Sequence, residues 1–528
     1  MAIAISIFWI TATLLVGPSG DFPLGDDWSY AMAVRTLLDE HRWQLTDFTS
    51  MPLGPQVIWG ALFCLPGGFS FGALRLSTLV AAWLGTLGTY SLARACGADE
   101  RLGLLSALTL ASTPIYFALS YTFMTDVPFL ALAIWGLVFL VRYLRDERTG
   151  DAVRALILIT AATLVRQLGL AVGTGAAAAI WLRRGRRLTA VVFPAAGVAA
   201  LVGYHRLLTL THVPAMYSFQ TEQLLRFVAE GPMAMTIRAV KRLGQLLVYL
   251  GTFLLPFLIG AELFKGGGPP ARRSARRLAF VGVAIAGAAL SAAGLQMPLS
   301  GNILNDLTLL PIILAGASNR PRAPWWVWTL VTAAGLVSAA ALSVFVTTGF
   351  FRTWRERAID RYRSSLVVLL AVSAAVYAAP ILLSSLYDRY VLYLLLAALL
   401  ACVTMLTRGD QRAPAPRLAI ALVVIALLAT FSVAALHDTF ALNRARWTAA
   451  RATLEAGTLP DALDGGFEVN GWLAATSGAV DADRLTTKPD AAILISLVPF
   501  AGYRIVHQYS FRRWLPYEIA TVYLLARQ

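Results

Sequence analysis

Charge is scarce in this 528-residue chain: only 14% of its residues are Asp, Glu, Lys or Arg, against 58% hydrophobic, and the mean hydropathy is +0.67. One water-soluble globule with an ordinary polar surface is excluded. Cysteine is nearly absent, and Cys64, Cys96 and Cys402 lie scattered in apolar or edge contexts. With no CxxC or His/Cys spacing, neither a disulfide framework nor a thiolate metal centre is expected. A net charge of +15 invites nucleic acid, but the arginines fall in short clusters between apolar runs and are not interleaved with aromatics on one polar face, so no nucleic-acid partner is expected. Residues 1–17 lack a basic leading region and an A-x-A cleavage site, which favours a first membrane helix over a removed signal peptide.

What is present is a series of apolar runs near the roughly 18–20 residues that cross a hydrocarbon core. Backbone groups in lipid must be satisfied within the segment, so the runs are read as helices. Basic clusters at Arg94 and Arg101, Arg142 to Arg154, Arg183 to Arg187, Lys265 to Arg277, Arg352 to Arg363 and Arg408 to Arg417 all fall inside if short basic loops are cytoplasmic. Spans are then predicted at 1–17, 72–93, 102–120, 127–143, 154–166, 168–182, 188–208, 240–262, 278–296, 326–348, 364–384, 391–407 and 418–437, about thirteen in all. Segment 154–182, basic at both ends with Arg166 and Gln167 at its middle, reads as two short helices meeting near Arg166. Residues 303–317 read as an interfacial segment, since a further span there would invert every later loop. The scheme leaves Arg238, Lys241, Arg242, Arg320 and Arg322 on the outer side, against the rule.

The expected fold class is therefore an all-α polytopic membrane bundle over residues 1–437, followed by a small soluble extracytoplasmic α+β domain over 438–528. That last stretch holds nine acidic and nine basic residues, with alternating strand-like segments such as AAILISL and YRIVHQYS.

Polar chemistry gathers in the outer segments. Asp26 and Asp27 open an amphipathic stretch that includes Tyr30, where helix capping accounts for the carboxylates as well as a general base does. Asp126 lies in the tight loop YTFMTDVPF, where a cap on the following helix is the plain alternative. In Tyr387-Asp388-Arg389-Tyr390 the arginine offers a forked contact to phosphate, unless it pairs with Asp388. Arg166 is a functional candidate by its position in the membrane. Asn302, within MPLSGNILND, suits sugar hydroxyls or a turn equally, and Gln56 is a further candidate substrate contact. Asp26 and Asp126 are compatible with a divalent cation, but no His-rich or EF-hand spacing demands one.

The order GDDWSY, TDVPF, YDRY resembles the GT-C superfamily of membrane glycosyltransferases, in particular bacterial relatives of protein O-mannosyltransferases and of the lipid A aminoarabinose transferase. The resemblance extends over roughly residues 1–440. It implies a GT-C-like bundle with juxtamembrane helices in the first outer loop, in a bacterial-type inner membrane. It implies a polyprenyl-phosphate-linked sugar donor, a lipid, glycan or protein acceptor, and inversion at the anomeric carbon. By position, Asp26 matches the family's general base, Asp27 its second acidic position, Asp126 the second-loop acid and Arg389 a donor-phosphate ligand; Arg166 is expected to share the phosphate, and Tyr30 and Tyr387 are candidate substrate contacts. A multi-pass transporter or lipid-linked glycan flippase is the rival reading, for which the polar groups belong near the bilayer midplane.

Overall fold

The first helix divides its apolar residues into two stripes. In the computed structural model, which describes residues 1–261, 282, 296–406, 415–478 and 481–528, α1 (Ala2–Val16) buries Ile5, Trp9, Ala12 and Val16 at helical spacing. Its other face leaves Ile3, Ile7, Ile10 and Leu14 exposed, which water penalises and lipid tolerates.

The chain is mostly helical. After α1 come α2 (Asp27–Glu40), α3 (Gly54–Cys64), α4 (Phe71–Ala95), α5 (Glu100–Ser112), α6 (Pro114–Leu119), α7 (Asp126–Asp146), α8 (Thr149–Val165), α9 (Leu170–Arg184), α10 (Arg187–Leu210), α11 (Phe219–Ala229) and α12 (Pro232–Gly260). Then follow α13 (Trp325–Arg355), α14 (Arg361–Leu383), α15 (Val391–Met405), α16 (Ala415–Glu455) and α17 (Phe467–Ser477). Among the described residues eight helices are long and apolar enough to cross a membrane: α4, α7, α10, α12, α13, α14, α16 and the stretch Asp388–Met405 that ends in α15. The protein is a multi-pass membrane protein. The expected thirteen spans also counted shorter helices: α1, α8 and α9 have 15, 17 and 15 residues, and run 102–120 breaks at Thr113, where Pro114 starts α6. The expected span 278–296, apart from residues 282 and 296, lies outside the described residues, as do the cluster Lys265 to Arg277 and the arginines Arg408 and Arg412.

The loops sort into two ends of the bundle. At one end arginines cap helix carbonyls: Arg183 Nε donates to Leu144 O at 3.4 Å, Arg363 Nε to Thr404 O at 2.7 Å, and Tyr362 Oη to Ala95 O at 3.3 Å. These contacts join four of the basic clusters that the arginine rule grouped together. At the other end lie the segments around residues 20–27, 122–126, 166–169, 300–306 and 387–390. Arg166 stands at the turn between α8 and α9, at this second end, extended at φ −142° and ψ 131°, followed by a 3-10 turn over Gln167–Gly169. Gly169 is required there, because a Cβ would lie 2.6 Å from the Thr163 backbone. Residues 303–317 make no helix beyond a short turn; β1 (Leu304–Asn305) and β2 (Thr308–Leu309) pair antiparallel.

Helix α16 runs 41 residues and passes the expected boundary at 437. Residues 438–455 carry no glycine or proline and several good helix formers, so nothing stops the helix before Gly457. Beyond it a four-stranded sheet has the order β3-β4-β6-β5, from β3 (Leu463–Asp464), β4 (Ile493–Ser496), β5 (Tyr503–Trp514) and β6 (Tyr517–Arg527). Helix α17 packs this region onto the bundle: Trp28 is enclosed by Phe48 and Phe467, and Trp472 stacks on Phe69 at 5.8 Å. Gly471 lets Trp28 approach, since a Cβ would lie 2.4 Å from the indole.

Candidate functional site

The chain from Gly17 to Asp26 has no regular structure of its own and is held by neighbours. Arg75, buried in α4, donates to the carbonyls of Gly20 and Phe22, with its guanidinium over the rings of Phe22 and Phe440 at 4.7 and 5.1 Å. Phe71 N donates to Asp21 Oδ1 at 2.6 Å, and Gly25 N to Glu468 Oε1 at 3.4 Å. Glu468 is in turn ion-paired with buried Arg446 at 2.6 Å. The braced loop delivers two adjacent aspartates into different surroundings.

Asp27 is buried and engaged. Its Oδ1 accepts from Leu24 N at 2.7 Å and its Oδ2 from Phe123 N at 3.2 Å, tying the first outer segment to the second. Burial pushes its carboxyl up to about 7, opposed by the charge of Arg75 and the two amides. Asp26 occupies the N-cap position of α2 but makes no side-chain capping hydrogen bond. Its carboxylate, 30% exposed, meets Arg389 instead, Nη1 to Oδ2 at 3.4 Å. Capping therefore does not account for Asp26.

Asp126 is the first residue of α7, and Thr125 before it makes no side-chain cap. The Asp126 carboxylate forms a buried ion pair with Arg166, which also donates to Thr125 Oγ1 at 3.3 Å and lies 5.1 Å over the Tyr390 ring. Arg389 interacts electrostatically with both Asp126 and Asp26, and its guanidinium lies over Tyr387 at 5.4 Å and Tyr390 at 5.8 Å. Buried Tyr30, its phenol pushed up by burial and then by Asp26, also feels Arg389, Arg166 and Asp126. Asp26, Tyr30, Asp126, Arg166 and Arg389, drawn from four segments, thus form one cluster. Asp388 also feels the charge of Arg389, but its oxygens accept from the amides of Ile303 and Leu304 at 3.0 and 2.8 Å and form no ion pair with the guanidinium.

Polar atoms in the cluster remain unmatched. Asp126 Oδ2, Arg166 Nε and Nη2, and Arg389 Nε are buried without a hydrogen-bond partner, a costly state in a finished interior and an ordinary one where a polar ligand completes the set. Gln56 is buried, its Nε2 donating to Phe123 O at 2.7 Å while Oε1 is unmatched. Asn302 lies next to Ile303, with a buried, unpartnered Oδ1. Among the described residues no three of His, Cys, Asp and Glu gather where a metal ion could sit, and an arginine already stands against Asp26 and Asp126.

Sequence reasoning missed Arg75, Glu468 and Arg446. The only available signal was a charged residue within an apolar run, at Arg75, and an acid within the glycine-rich DGGFEVNGW stretch, at Glu468.

Two kinds of known protein compare with this geometry. Residues 50–205 match the family model described as dolichyl-phosphate-mannose-protein mannosyltransferase. Of solved structures, ArnT from Cupriavidus metallidurans bound to undecaprenyl phosphate is similar at 13% identity, covering 99% of this chain and 96% of that one, with a TM-score of 0.44. The Archaeoglobus fulgidus oligosaccharyltransferase in complex with Zn and sulfate is similar at 12% identity, covering 84% of this chain and 55% of that one, with a TM-score of 0.39. No curated protein sequence matches the chain. The two structural likenesses are distant and nothing below rests on them. The family match falls on the segment that holds Asp126 and Arg166: this is a multi-pass membrane protein whose residues 50–205 are similar to the mannosyltransferase family.

Proposed function

We propose that this protein transfers a sugar from a polyprenyl-phosphate donor to an acceptor hydroxyl on the extracytoplasmic face of a bacterial-type inner membrane, with inversion at the anomeric carbon. The observation that carries the reading is that Asp26 and Asp126, a hundred residues apart in sequence, both act on Arg389. The description of the matched family, which names a dolichyl-phosphate sugar, supports the donor class.

Asp26 is the general base. It is the carboxylate of the cluster with access to solvent, and it takes the acceptor proton as the hydroxyl oxygen attacks the anomeric carbon and the bond to the phosphate oxygen breaks. Asp126, fixed by Arg166, orients the acceptor or the sugar through its unmatched oxygen. Arg389 supplies positive charge next to the leaving oxygen. Arg166, committed to Asp126, is a positioning residue in this scheme, and Asp27 is another, since both its oxygens hold backbone amides. The residues beyond α16, 456–528, form an extracytoplasmic unit that braces the base-bearing loop through Glu468.

A transporter would place its polar groups near the bilayer midplane, whereas Arg166 lies at the same end of the bundle as Asp26 and Asp126. The test is to incubate purified protein in lipid with a panel of polyprenyl-phosphate sugars and candidate acceptors. Release of free polyprenyl phosphate coupled to sugar transfer is expected. No release or transfer with any donor, together with uptake of substrate into sealed vesicles, moves the assignment to transport.

A further inference from the structure

The first turns of α12 carry Arg238, Lys241 and Arg242, three cations on what the arginine rule makes the outer side, where short loops ordinarily avoid them. They line one wall of an open cleft of about 660 Å³, whose other wall is formed by Ser300, Ser385 and Tyr387. Tyr387 is the residue whose ring lies against the Arg389 guanidinium, so the cleft abuts the cluster of Asp26 and Asp126. Its charge is only partly offset: Glu230 pairs with Arg238 and also acts on Arg242, so one carboxylate faces three cations, and among the described residues Lys241 and Arg242 have no ion-paired carboxylate of their own. Arg238, stacked 4.0 Å over Phe227, keeps its Nη1 buried and without an acceptor. Arg242 donates to Leu382 O at 3.3 Å, which fixes its guanidinium at the cleft wall.

The central cluster has the opposite balance. Asp26 and Asp126 offset Arg389 and Arg166, so Arg389 can face the leaving oxygen but the cluster has no net charge to match the other oxygens of a phosphate. We propose that the cleft lined by Arg238, Lys241 and Arg242 binds the phosphate of the membrane-borne polyprenyl-phosphate donor, with Tyr387 as the partition between phosphate and sugar. The assignment rests on the transferase reading for the identity of the ligand, but the preference for an anion follows from the cleft itself. Arginine and lysine donors on one helix face reach several oxygens at once, and Ser300, whose hydroxyl oxygen accepts from Asp388 N, lines the opposite wall, where the Ser385 hydroxyl is donated to Gln223.

The test reads binding and not turnover. Purified protein in neutral phosphatidylcholine nanodiscs is titrated with a long-chain polyprenyl phosphate, with the corresponding polyprenol, and with phosphatidylglycerol as competitor. Wild type should bind the phosphate far better than the alcohol, and phosphatidylglycerol should not displace it. Lys241→Gln with Arg242→Gln should weaken phosphate binding on the order of tenfold or more and leave polyprenol binding unchanged, while Lys241→Arg retains it. Lys241→Gln alone alters an exposed side chain, so a several-fold loss in that variant is free of folding effects. Unchanged affinity in the double variant, equal affinity for polyprenol, or equal displacement by phosphatidylglycerol overturns the proposal. If binding depends on the cleft but no donor supports transfer, the transferase reading fails and the phosphate site stands. If transfer proceeds and the double variant binds as wild type, the reverse holds.

Discussion

Arg166 and Asp126, 40 residues apart in the chain, form a single ion pair with side chains only 1% and 4% exposed. Burying two charges costs several kcal/mol per ion before their attraction returns it, so such a pair is weak evidence of stabilisation and stronger evidence of a fixed geometry. Arg166→Met leaves Asp126 buried and uncompensated, and about 3–5 kcal/mol of stability should be lost. Pairing it with Asp126→Leu should restore most of that stability without restoring transfer. Denaturant melts in detergent, read beside the transfer assay, separate the two effects. A double variant as unstable as Arg166→Met assigns the loss to packing instead.

Asp26 is the carboxylate whose removal should affect chemistry alone. It caps nothing, its one ionic contact is a 3.4 Å approach to Arg389, and it is partly exposed. Asp26→Asn keeps the shape and removes the base, so transfer should fall by about 10²–10⁴, the usual range for a general base. Melting and expression should match wild type. Near-normal turnover in this variant removes Asp26 from the base role.

Its neighbour should report on pH. Asp27 is held near 7 by burial, well above its ordinary value of 3.8. Between those two values the folded protein keeps a proton that the unfolded chain has released. Stability contributed by this group is therefore complete below about pH 4 and is lost as pH rises through about 7. Asp27→Asn should flatten that component of a melting curve taken from pH 4 to 8, and the difference between the two curves isolates it from other titrating groups. A wild-type curve that parallels the variant's across this window contradicts the assignment.

Much of this architecture is legible before any coordinates. GDDW, TDVPF and YDRY are short polar interruptions in apolar sequence, and the arginine rule alone puts them at one end of the bundle, where the structure has Asp26, Asp126 and Arg389 meeting. The break at Arg166 is legible too, because basic residues at both ends of 154–182 demand an even number of crossings. What separates Asp26 from Asp27 is not legible. The two are adjacent and identical, and their surroundings are decided by an amide 96 positions away, at Phe123. The continuation of α16 to Glu455 escapes a reading based on hydropathy, since the helix persists where its sequence turns polar. Partners such as Arg75 with Gly20 and Glu468 with Gly25 leave no periodic trace, because each meets backbone that any residue would supply.

Glu468 gives the test of whether the C-terminal region serves the site. Its Oε2 is paired with Arg446 at 2.6 Å, and its Oε1 accepts from Gly25, the residue before the base. Glu468→Gln keeps the volume but removes the charge, leaving Arg446 to its contacts with Gly465 O and Asn443 Oδ1. Stability should drop by about 3–5 kcal/mol if the buried arginine is left uncompensated. The sharper expectation is local: amide exchange should quicken at residues 24–27 and stay unchanged at the α8–α9 turn. Transfer should fall about tenfold through kcat, because displacing a base by a fraction of an ångström is enough to lose rate without losing substrate affinity. Unchanged exchange at residues 24–27 with wild-type turnover means that the C-terminal region rests on the bundle without steering its chemistry.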